Sequence, residues 1–436
     1  MIVKTATRRV VLVTGATGLV GSAVSARLAA EGHEVIGLAR RLRQGGSGTR
    51  WIRLDLARVT NAEQWLPLLK GVDAVVNCAG ILQDGPGQST REVHETAPAA
   101  LFAACEQTGV RRVIHLSAIG VDREQPSAFS KSKAAGDAAL MGKDLEWIIL
   151  RPSVIVGRAA YGGSALFRAL ATLPFLPVVP DAGKLQVVQL DEVVRTVACL
   201  LQSSAPSRIQ LELVGPEPLS FDEVIAAYRR WYGWKPARKM RAPRRVMSLA
   251  YAAGDLAGLL GWRPPIRTNA QLEMVRGAVG EAAEWSKLTG IDPQPLQRAL
   301  QKEPPSVQER WFAGLYLLKA LVFTVLVLFW TGTAIMALGP GWNIGLSLMY
   351  EGGVGEPAAS IVVIAGALAD LAIGVGMAFQ RTSRYALYAA VGISLIYAFA
   401  GTWLVPHLWI DPLGPMLKIW PIIALNLVAL AILEDR

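Results

Sequence analysis

Ser117, Phe129 and Lys133 are the residues whose types and spacing suggest chemistry. Ser117 ends the strand-like run VIHLS, and the other two lie in PSAFSKSKAAGD, residues 126–137, which has the pattern of a helix. Phe129 and Lys133 are four positions apart, so their side chains project from one face of that helix. The serine offers a hydroxyl and the lysine an ammonium, but a phenyl ring has no proton to give.

A glycine-rich turn near the start of the chain predicts nucleotide binding. Residues 8–32, RRVVLVTGATGLVGSAVSARLAAEG, have the pattern of a buried strand, then Gly15, Gly18 and Gly21, then an amphipathic helix. Glycines placed there let the backbone approach a pyrophosphate, which binds at the helix N-terminus. A merely structural turn is the alternative. Strands and helices alternate over the first 130 residues, which predicts an α/β doubly wound parallel sheet of the Rossmann type.

The second strand pattern, HEVIGLAR, ends in Arg40 and is followed by Arg41. A site that prefers NAD usually has an acid here for the ribose 2′-hydroxyl, whereas two guanidinium groups favour a 2′-phosphate. We therefore expect NADPH to be preferred over NADH. The alternative is that one or both arginines cap a surface loop.

The composition indicates that part of the chain lies in a membrane. Of the 436 residues, 52% are hydrophobic and 18% charged, and the mean hydropathy is +0.35, which implies at least two domains. Cys78, Cys105 and Cys199 are scattered, so neither a metal site nor a disulfide framework is expected. A strand pattern follows the basic start KTATRR where a signal peptide would have an apolar run, so we expect a cytoplasmic N-terminal half.

Over roughly residues 8–300 the sequence resembles the atypical or extended branch of the short-chain dehydrogenase/reductase superfamily. The pieces that carry the resemblance occur in the family's order: TGATGLVG (14–21), RLDL with Asp55, NCAG (77–80), VIHLSA with Ser117, then Lys133, then LRPSVIVG (150–157). The later segments LQVVQLDEVVRTV, LELVGPEPLSFDEVI, RTNAQLEMV and LTGIDPQPLQRAL are similar to the substrate domain of the NADPH-binding accessory subunit of mitochondrial complex I and its bacterial relatives. Those relatives bind nucleotide, but not all of them turn over.

The resemblance implies a set of site residues. Ser117 and Lys133 would be catalytic, and Phe129 stands in the position of the family's catalytic tyrosine. The cofactor-binding residues that it implies are Gly15, Thr17, Gly18, Leu19, Val20, Gly21, Arg40, Arg41, Asp55, Leu56, Ala79, Gly80, Lys133, Pro152 and Val154.

Phe129 is the departure from the family, because the tyrosine there gives a proton to the carbonyl oxygen as hydride arrives. Lys133 can still hold the nicotinamide ribose. Loss of a general acid costs about 100- to 10,000-fold in rate, so reduction of ordinary ketones should be slow. Either another hydroxyl substitutes, from Ser117, Ser130 or Tyr161, or the acceptor is electrophilic enough to need none, as a quinone is. His94 is expected to be a packing or surface histidine rather than a proton relay.

Residues 229–245, RRWYGWKPARKMRAPRR, contain eight basic residues and no acid, with Trp231, Tyr232 and Trp234 interleaved. Basic residues with amphipathic rings suit an anionic membrane surface, which we favour over nucleic acid. The following apolar segment, 246–262, is short for a span and contains Asp255, so it is expected to lie in the interface or line a substrate mouth. A solvated loop followed by a buried helix is the alternative.

Four apolar stretches, roughly 312–338, 358–379, 385–405 and 415–433, predict a four-helix transmembrane domain that resembles the DoxX-like membrane family. The first and third connections lack lysine and arginine, whereas the second contains Arg381 and Arg384. By the positive-inside rule, both termini and the second connection face the cytoplasm, as expected for the inner (plasma) membrane of a bacterium.

Two ionisable residues, Lys319 and Asp370, lie within these stretches and are predicted to pair between the first two helices. A proton or quinone site, or snorkelling without a partner, is the alternative. Lys418, at the outer end of the last stretch, is expected to snorkel.

The predicted domains are a Rossmann domain (8–228), a basic, membrane-proximal substrate subdomain (229–305) and a membrane domain (306–436). The first functional hypothesis is a membrane-anchored NADPH-dependent oxidoreductase acting on a lipophilic acceptor, a quinone or isoprenoid-like carbonyl. The second is a non-catalytic NADPH-binding protein with a structural, assembly or redox-sensing role. An epimerase or dehydratase of nucleotide sugars is weakest, since it also needs the missing tyrosine. A homo-oligomer or a membrane-protein partner is compatible with each hypothesis.

Overall fold

The chain folds into two compact units in a computed structural model, which describes residues 8–40 and 48–433. The first unit comprises the described residues up to Asp255 together with Pro264–Arg310. The second comprises Leu256–Arg263 and the described residues from Trp311 onward. The basic segment 229–245 belongs to the first unit.

The strands all lie in the first unit. In chain order they are β1 Val10–Thr14, β2 Glu34–Ala39, β3 Thr49–Arg53, β4 Ala74–Asn77, β5 Arg112–Leu116, β6 Glu146–Pro152, β7 Ile155–Val156, β8 Phe175–Val178, β9 Val188–Gln189, β10 Ile209–Leu213 and β11 Arg238–Arg241.

The α-helices that begin before residue 305 are α1 Leu19–Ala30, α2 Leu66–Leu69, α3 Ala97–Thr108, α4 Ala128–Met141, α5 Gly162–Leu170, α6 Leu190–Leu200, α7 Phe221–Trp231, α8 Arg244–Leu259, α9 Thr268–Arg276, α10 Ala283–Thr289 and α11 Leu296–Lys302. Those that begin later are α12 Val307–Leu338, α13 Trp342–Glu351, α14 Ala358–Ala378, α15 Ser383–Leu404 and α16 Ile419–Leu433.

A seven-stranded parallel sheet forms the centre of the first unit, in the order β3-β2-β1-β4-β5-β6-β10. Central strands such as VVLVT and RVIHL are almost wholly buried, as parallel strands covered on both faces must be. One face packs against α1 and α6, through Val24, Leu28 and Val197. The other packs against α3 and α4, through Phe102 and Leu140. The predicted doubly wound sheet is confirmed.

The strand order reverses between β1 and β4. Ligands of such sheets bind outside the carboxyl ends of the strands at this switch point. The turn after β1, the NCAG segment after β4 and Ser117 after β5 therefore all lie at one edge of the sheet.

The second unit is helical. Three of its helices, α12, α14 and α15, are long and apolar enough to cross a membrane. The expected fourth span is α16, which has 15 residues and is shorter than the roughly 20 residues that usually cross a bilayer. Helix α13 lies inside the connection that the sequence presents as a loop.

The predicted pair of Lys319 and Asp370 is wrong. Lys319 Nζ donates to Leu433 O at 3.1 Å, at the end of α16, whereas Asp370 Oδ1 accepts from Tyr397 Oη at 3.0 Å. A Cβ on Gly374, one turn of α14 from Asp370, would lie 2.9 Å from Thr331 N. Thr331 is about 18 Å from Lys319 along α12 at 1.5 Å per residue, so the two charges lie at different levels of the bundle. Lys418 lies just before α16 and is exposed.

Candidate active site at the carboxyl edge of the sheet

The turn between β1 and α1 and the first turn of α1 each contain one position that only glycine can occupy. Gly15 has a φ of +61°, and a Cβ there would lie 2.8 Å from Cys78 O. A Cβ on Gly21 would lie 2.2 Å from Gly15 O, closer than any real contact. These glycines let the turn lie flat against the segment after β4, as a pyrophosphate cradle requires.

The N-terminus of α1 is open to an anion. The helix has Gly18 as its N-cap residue, no side chain of the described residues caps it, and its first turn contains no acid. Thr17, Leu19 and Val20 are half-buried on the same turn. The free N–H groups and the helix dipole there suit a pyrophosphate, so the residues present fit a dinucleotide.

The residues predicted on the adenosine side lie at the ends of two adjacent strands. Arg40 directly follows β2 and is exposed, whereas Arg41 lies outside the described residues. Asp55 follows β3, where its Oδ1 accepts from Ala57 N at 3.3 Å and so begins a short 3₁₀-helix that starts at Leu56. Leu54 N donates to Ala39 O, which keeps the two strand ends side by side.

Lys133 lies at the predicted nicotinamide side of the edge. Its Nζ donates to Leu116 O at 2.7 Å and lies 3.4 Å from Ala79 O. A Cβ on Gly80 would lie 3.5 Å from the same nitrogen. Ser117 is the next residue after Leu116, so the fold brings Ser117, Lys133, Ala79 and Gly80 together from three elements.

Pro152 and Val154 lie at the end of β6, the next strand along the sheet. Ile119 N donates to Pro152 O at 3.0 Å, and Val188 N donates to Val154 O at 3.1 Å. The loop after β5 is thereby attached to the end of β6, and the predicted residues of β4, β5 and β6 share one edge.

Burial lowers the pKa of Lys133 to about 8, although the nearby Asp137 and Cys78 oppose the shift. Burial raises the pKa of the Cys78 thiol to about 12, so this cysteine stays protonated at neutral pH. Lys133 is therefore largely protonated at pH 7 and presents a cation to the edge of the sheet.

Phe129 is half-buried on α4, one turn before Lys133. Its ring meets the His94 ring edge-on, with 5.5 Å between centroids and 85° between planes. The position at which the resemblance predicts a proton donor thus has an apolar ring packed on His94.

Of the three candidate substitutes for that donor, Ser130 is hydrogen-bonded within α4 and Tyr161 lies at the glycine-rich turn. Ser130 Oγ donates to Ser127 O and accepts from Ser127 N, both at 3.2 Å, as part of the capping box of α4. The Tyr161 hydroxyl lies 4.0 Å from the place of a Cβ on Gly18, at the glycine-rich turn. Ser117 Oγ is buried and has no partner of good hydrogen-bond geometry among the described residues, although it helps to lower the Asp137 pKa.

His94 is fully buried in a π-helical turn, Glu92–Thr96, and takes no part as a surface group. Its Nε2 accepts from Ile81 N at 3.0 Å, so in the neutral ring Nδ1 carries the proton toward Ser132 Oγ, 2.9 Å away. Burial, with a smaller effect of Lys133, lowers the His94 pKa well below its usual value. The expected packing role fits this geometry, which fixes the loop after Gly80.

A buried polar chain beneath the site is absent from the sequence predictions. Thr14 Oγ1 donates to Asn77 Oδ1 at 2.5 Å, and Asn77 Nδ2 lies 2.9 Å from His115 Nδ1. His115 Nε2 lies 3.4 Å from Asp137 Oδ1, and Arg151 Nε donates to Asp137 Oδ2 at 3.1 Å. These polar contacts join the ends of β1, β4 and β5 to α4 and β6.

The charges in this chain are set by its packing. Burial alone would raise the pKa of Asp137, but His115, Ser117 and Arg151 outweigh it and lower the pKa below the usual value. Burial lowers the His115 pKa, so the ring is neutral and Asp137 is paired with Arg151. Polar residues inside otherwise apolar strands were the available signal, as in RVIHL and EWIILRP.

Helix α9 and the loop before it contact segments next to the site, which the sequence also did not predict. Ser127 Oγ, at the start of α4, donates to Glu273 Oε1 of α9 at 2.5 Å. Arg267 Nε donates to Asp255 Oδ1 of α8 at 3.0 Å, and its Nη1 donates to Asp84 O at 2.9 Å. Asp84 lies in the loop after Gly80, so Arg267 joins α8 to the loop beside Lys133.

Comparison with known proteins agrees with this architecture. Residues 15–167 match a family described as NAD(P)H-binding, and residues 325–427 match the DoxX-like family. The chain combines an NAD(P)-binding Rossmann domain with a C-terminal DoxX-like domain. The first matches NAD(P)H-binding domains, and the second contains helices that are long and apolar enough to cross a membrane.

Three of the relatives found each match about half of the chain. A ceramide reductase of Caulobacter vibrioides is 25% identical over 241 residues, which are 54% of this chain and 74% of the reductase. The mitochondrial NADH dehydrogenase [ubiquinone] 1 alpha subcomplex subunit 9 of Arabidopsis thaliana is 25% identical, over 55% of this chain and 64% of that subunit. An uncharacterized protein of Mycobacterium tuberculosis is 28% identical over 243 residues, but the match spans a quarter of its length.

Solved structures show the same fold. The WbmG enzyme of Bordetella bronchiseptica in complex with NAD has a TM-score of 0.53 at 16% identity, over 69% of this chain and 95% of that one. A UDP-glucuronic acid 4-epimerase from Bacillus cereus in complex with UDP-glucuronic acid and NAD has a TM-score of 0.51 at 17% identity, over 71% and 99%.

Proposed function

We propose that this chain is a membrane-anchored oxidoreductase that uses NADPH to reduce a lipophilic acceptor, a quinone or a lipid carbonyl. The observation that carries the proposal is the bridge made by Arg267 between α8 and the loop beside Lys133. An acceptor that reaches α8 from a bilayer would be next to a loop of the site. A relative named ceramide reductase supports an acceptor of lipid type.

The roles of the chain's own residues follow from their positions. NADPH, when bound, supplies the hydride. The glycine-rich turn and the N-terminus of α1 would hold the pyrophosphate, and Lys133 would exchange its bond to Leu116 O for one to the nicotinamide ribose. Ser117 Oγ would donate to the acceptor oxygen. The proton that accompanies the hydride would come from water, because Phe129 has none to give.

This assignment favours an acceptor whose reduced oxygen is stable without immediate protonation. A quinone meets this condition, because its reduced form delocalises the negative charge. An activated lipid carbonyl meets it less well, and a simple ketone poorly. Phe129 also supports the second candidate function, a non-catalytic NADPH-binding protein, in which the bound nucleotide stabilises the fold.

One experiment separates the two candidates. The full-length protein in mild detergent is mixed with NADPH, and absorbance is followed with a short-chain quinone and with a lipid ketone. We expect oxidation above the spontaneous rate with one of them, and a fall of about 10- to 100-fold in Lys133→Met through lost positioning. Phe129→Tyr should change quinone reduction little and raise ketone reduction. Tight NADPH binding without oxidation by any acceptor would establish the non-catalytic candidate instead.

The preference for NADPH is part of the proposal and has its own test. Arg40 is exposed at the end of β2, where it would meet a ribose 2′-phosphate. NADPH should raise the melting temperature more than NADH does. In the double variant Arg40→Ala and Arg41→Ala, the difference between these two rises should become smaller. Arg27→Ala, in the last turn of α1, is the control and should leave the difference between NADPH and NADH unchanged. Equal stabilisation of the unsubstituted chain by both nucleotides would contradict the preference.

We also propose an orientation and a location. The NAD(P)-binding unit and the connection that contains Arg381 and Arg384 would face the cytoplasm of a bacterial cell, with the DoxX-like unit in the inner membrane. The support is the distribution of arginine and lysine among the connections.

A further inference from the structure

Helix α8 exposes a row of large apolar side chains. Val246, Leu249, Leu256 and Leu259 have exposed fractions of 59%, 72%, 60% and 75%. Their spacings of three, seven and three residues place them on one side of the helix. The other side is covered, since a Cβ on Gly254 would lie 1.8 Å from Ile266 O. An exposed apolar row of this length marks a contact surface.

Basic residues flank the start of this row. Arg238 and Arg241 on β11 and Arg245 in the first turn of α8 are exposed, and no carboxylate of the described residues forms an ion pair with them. Lys239 and Arg244 are paired, with Asp222 at 2.7 Å and Asp181 at 3.1 Å. The surface around the apolar row therefore carries a net positive charge.

The aromatic residues of the basic segment do not belong to this surface. Trp231 Nε1 donates to Glu303 O at 2.7 Å, and Tyr232 is buried against Trp234, with 4.6 Å between ring centroids. The Arg229 guanidinium donates to Ala171 O and Leu173 O. The expectation that these rings face a membrane does not fit their packing, and the apolar row of α8 is what remains exposed.

The chain after α8 is attached to the end of the membrane helices. Leu260 O accepts from Gln380 N at 3.0 Å, and Trp262 Nε1 donates to Ala378 O at 2.7 Å. Trp262 also packs on Phe323 of α12, with 4.7 Å between ring centroids. These contacts lie where α14 ends, which is the level of a membrane–water boundary for a helix that spans the bilayer.

From these observations we infer that α8 lies flat in an anionic lipid surface. Its apolar row enters the boundary between headgroups and acyl chains, and Arg238, Arg241 and Arg245 contact lipid phosphates. A 16-residue helix that contains Asp255 is too short and too polar to cross the bilayer. The occupant of this surface is the lipid leaflet. The inference does not depend on whether the candidate active site is catalytically active.

Fluorescent labels on two adjacent residues test the depth of α8. Full-length Leu249→Cys and Ser248→Cys proteins are labelled with an environment-sensitive dye in nanodiscs of phosphatidylglycerol and phosphatidylcholine, and labelling of the unsubstituted chain is subtracted. A lipid-borne quencher should reduce emission at position 249 at least twofold more than at position 248. Equal quenching would overturn the inference. A blue-shifted label at 249 that no lipid quencher reaches would assign the row to a protein contact, such as a second copy.

Charge reversal tests the headgroup contact. In the Leu249→Cys protein, Arg241→Glu with Arg245→Glu should remove at least half of the extra quenching that phosphatidylglycerol gives over phosphatidylcholine. Lys70→Glu with Arg298→Glu makes the same change in net charge at exposed positions elsewhere. This control pair should leave the extra quenching with phosphatidylglycerol unchanged. If both pairs of substitutions act alike, the arginines beside α8 have no specific role and the headgroup contact is wrong.

Discussion

Tyr161 shows how position decides the role of a hydroxyl. By residue type it is a candidate for the missing proton donor, but its hydroxyl lies at Gly18, the N-cap of α1. There it can reach a pyrophosphate oxygen, since helix N-termini hold such groups. Tyr161→Phe should therefore raise the Kd for NADPH about 5- to 10-fold, the loss of one hydrogen bond, and change kcat less than about twofold.

Nucleotide titration and initial rates on the same preparations measure both quantities. Tyr388→Phe, in the membrane unit, is the control for loss of a phenol and should change neither. A large fall in kcat with an unchanged Kd would assign Tyr161 the role of proton donor and remove it from the phosphate site.

Lys133 gives the site a dependence on pH with a defined sign. Its pKa is lowered to about 8 from a usual 10.5, so between these values the unfolded chain binds more protons than the folded one. The free energy of unfolding should then rise with pH from about 8 to 10.5. Binding of nucleotide by the protonated lysine should weaken over the same range.

The measurement is a pair of pH series, one of melting temperature without nucleotide and one of NADPH Kd. In Lys133→Met both lysine-dependent slopes should disappear, because methionine keeps the length of the side chain without a charge. Slopes that persist in the variant would show that another group titrates there.

At the scale of elements, what the sequence predicts correctly is local. The turn between β1 and α1 follows from three glycines within seven residues, because Gly15 and Gly21 are needed for close approaches inside that segment. The pairing of Lys319 with Asp370 failed because helix registry depends on packing along the whole bundle. The series of buried polar contacts that runs from Thr14 to Arg151 joins residues far apart in sequence, and no sequence spacing predicts such contacts.

The buried pair of Asp137 and Arg151 makes a prediction about the stability of these elements. Asp137→Ala leaves Arg151 without its buried carboxylate, a change that typically costs about 3–5 kcal/mol. For a unit of roughly 300 residues that corresponds to a drop of about 5 to 8 °C in melting temperature. Asp144 is an exposed partner of Arg111 and Arg208, so Asp144→Ala should lower the melting temperature much less than Asp137→Ala does.

Thermal unfolding of both variants, followed in full-length protein without nucleotide, makes the comparison. Because the pKa of Asp137 is lowered, its contribution is present above the usual carboxyl pKa and is lost as pH falls through the lowered value. The two variants should therefore differ most near neutral pH and converge in acid. Equal losses of melting temperature in the two variants at neutral pH would show that the buried polar contacts of Asp137 stabilise the fold no more than the surface ion pairs of Asp144.

At the scale of the whole molecule, the arrangement of helices and connections constrains topology. Helices α12, α14 and α15, if each crosses the membrane once, would place successive connections on opposite sides of it. Leu260 and Trp262 contact the end of α14, beside the connection that contains Arg381. Within the second unit, the segment that contains Leu260 and Trp262 thus lies at the end of the helices next to the basic connection.

Cysteine labelling in cells tests this topology. Gly353 has a φ of +81°, which disfavours cysteine, whereas Gly355 has open space around its Cβ position and is the better site in the connection without lysine or arginine. Ser383 is buried, so Thr382, which is exposed, represents the basic connection. An impermeant reagent added to intact cells should label Gly355→Cys and leave Thr382→Cys unlabelled, because positive connections are retained in the cytoplasm. Permeabilised cells should show labelling of both, which controls for access. Labelling of Thr382→Cys alone in intact cells would place the NAD(P)-binding unit outside the cytoplasm, apart from the nucleotide that the site is built to hold.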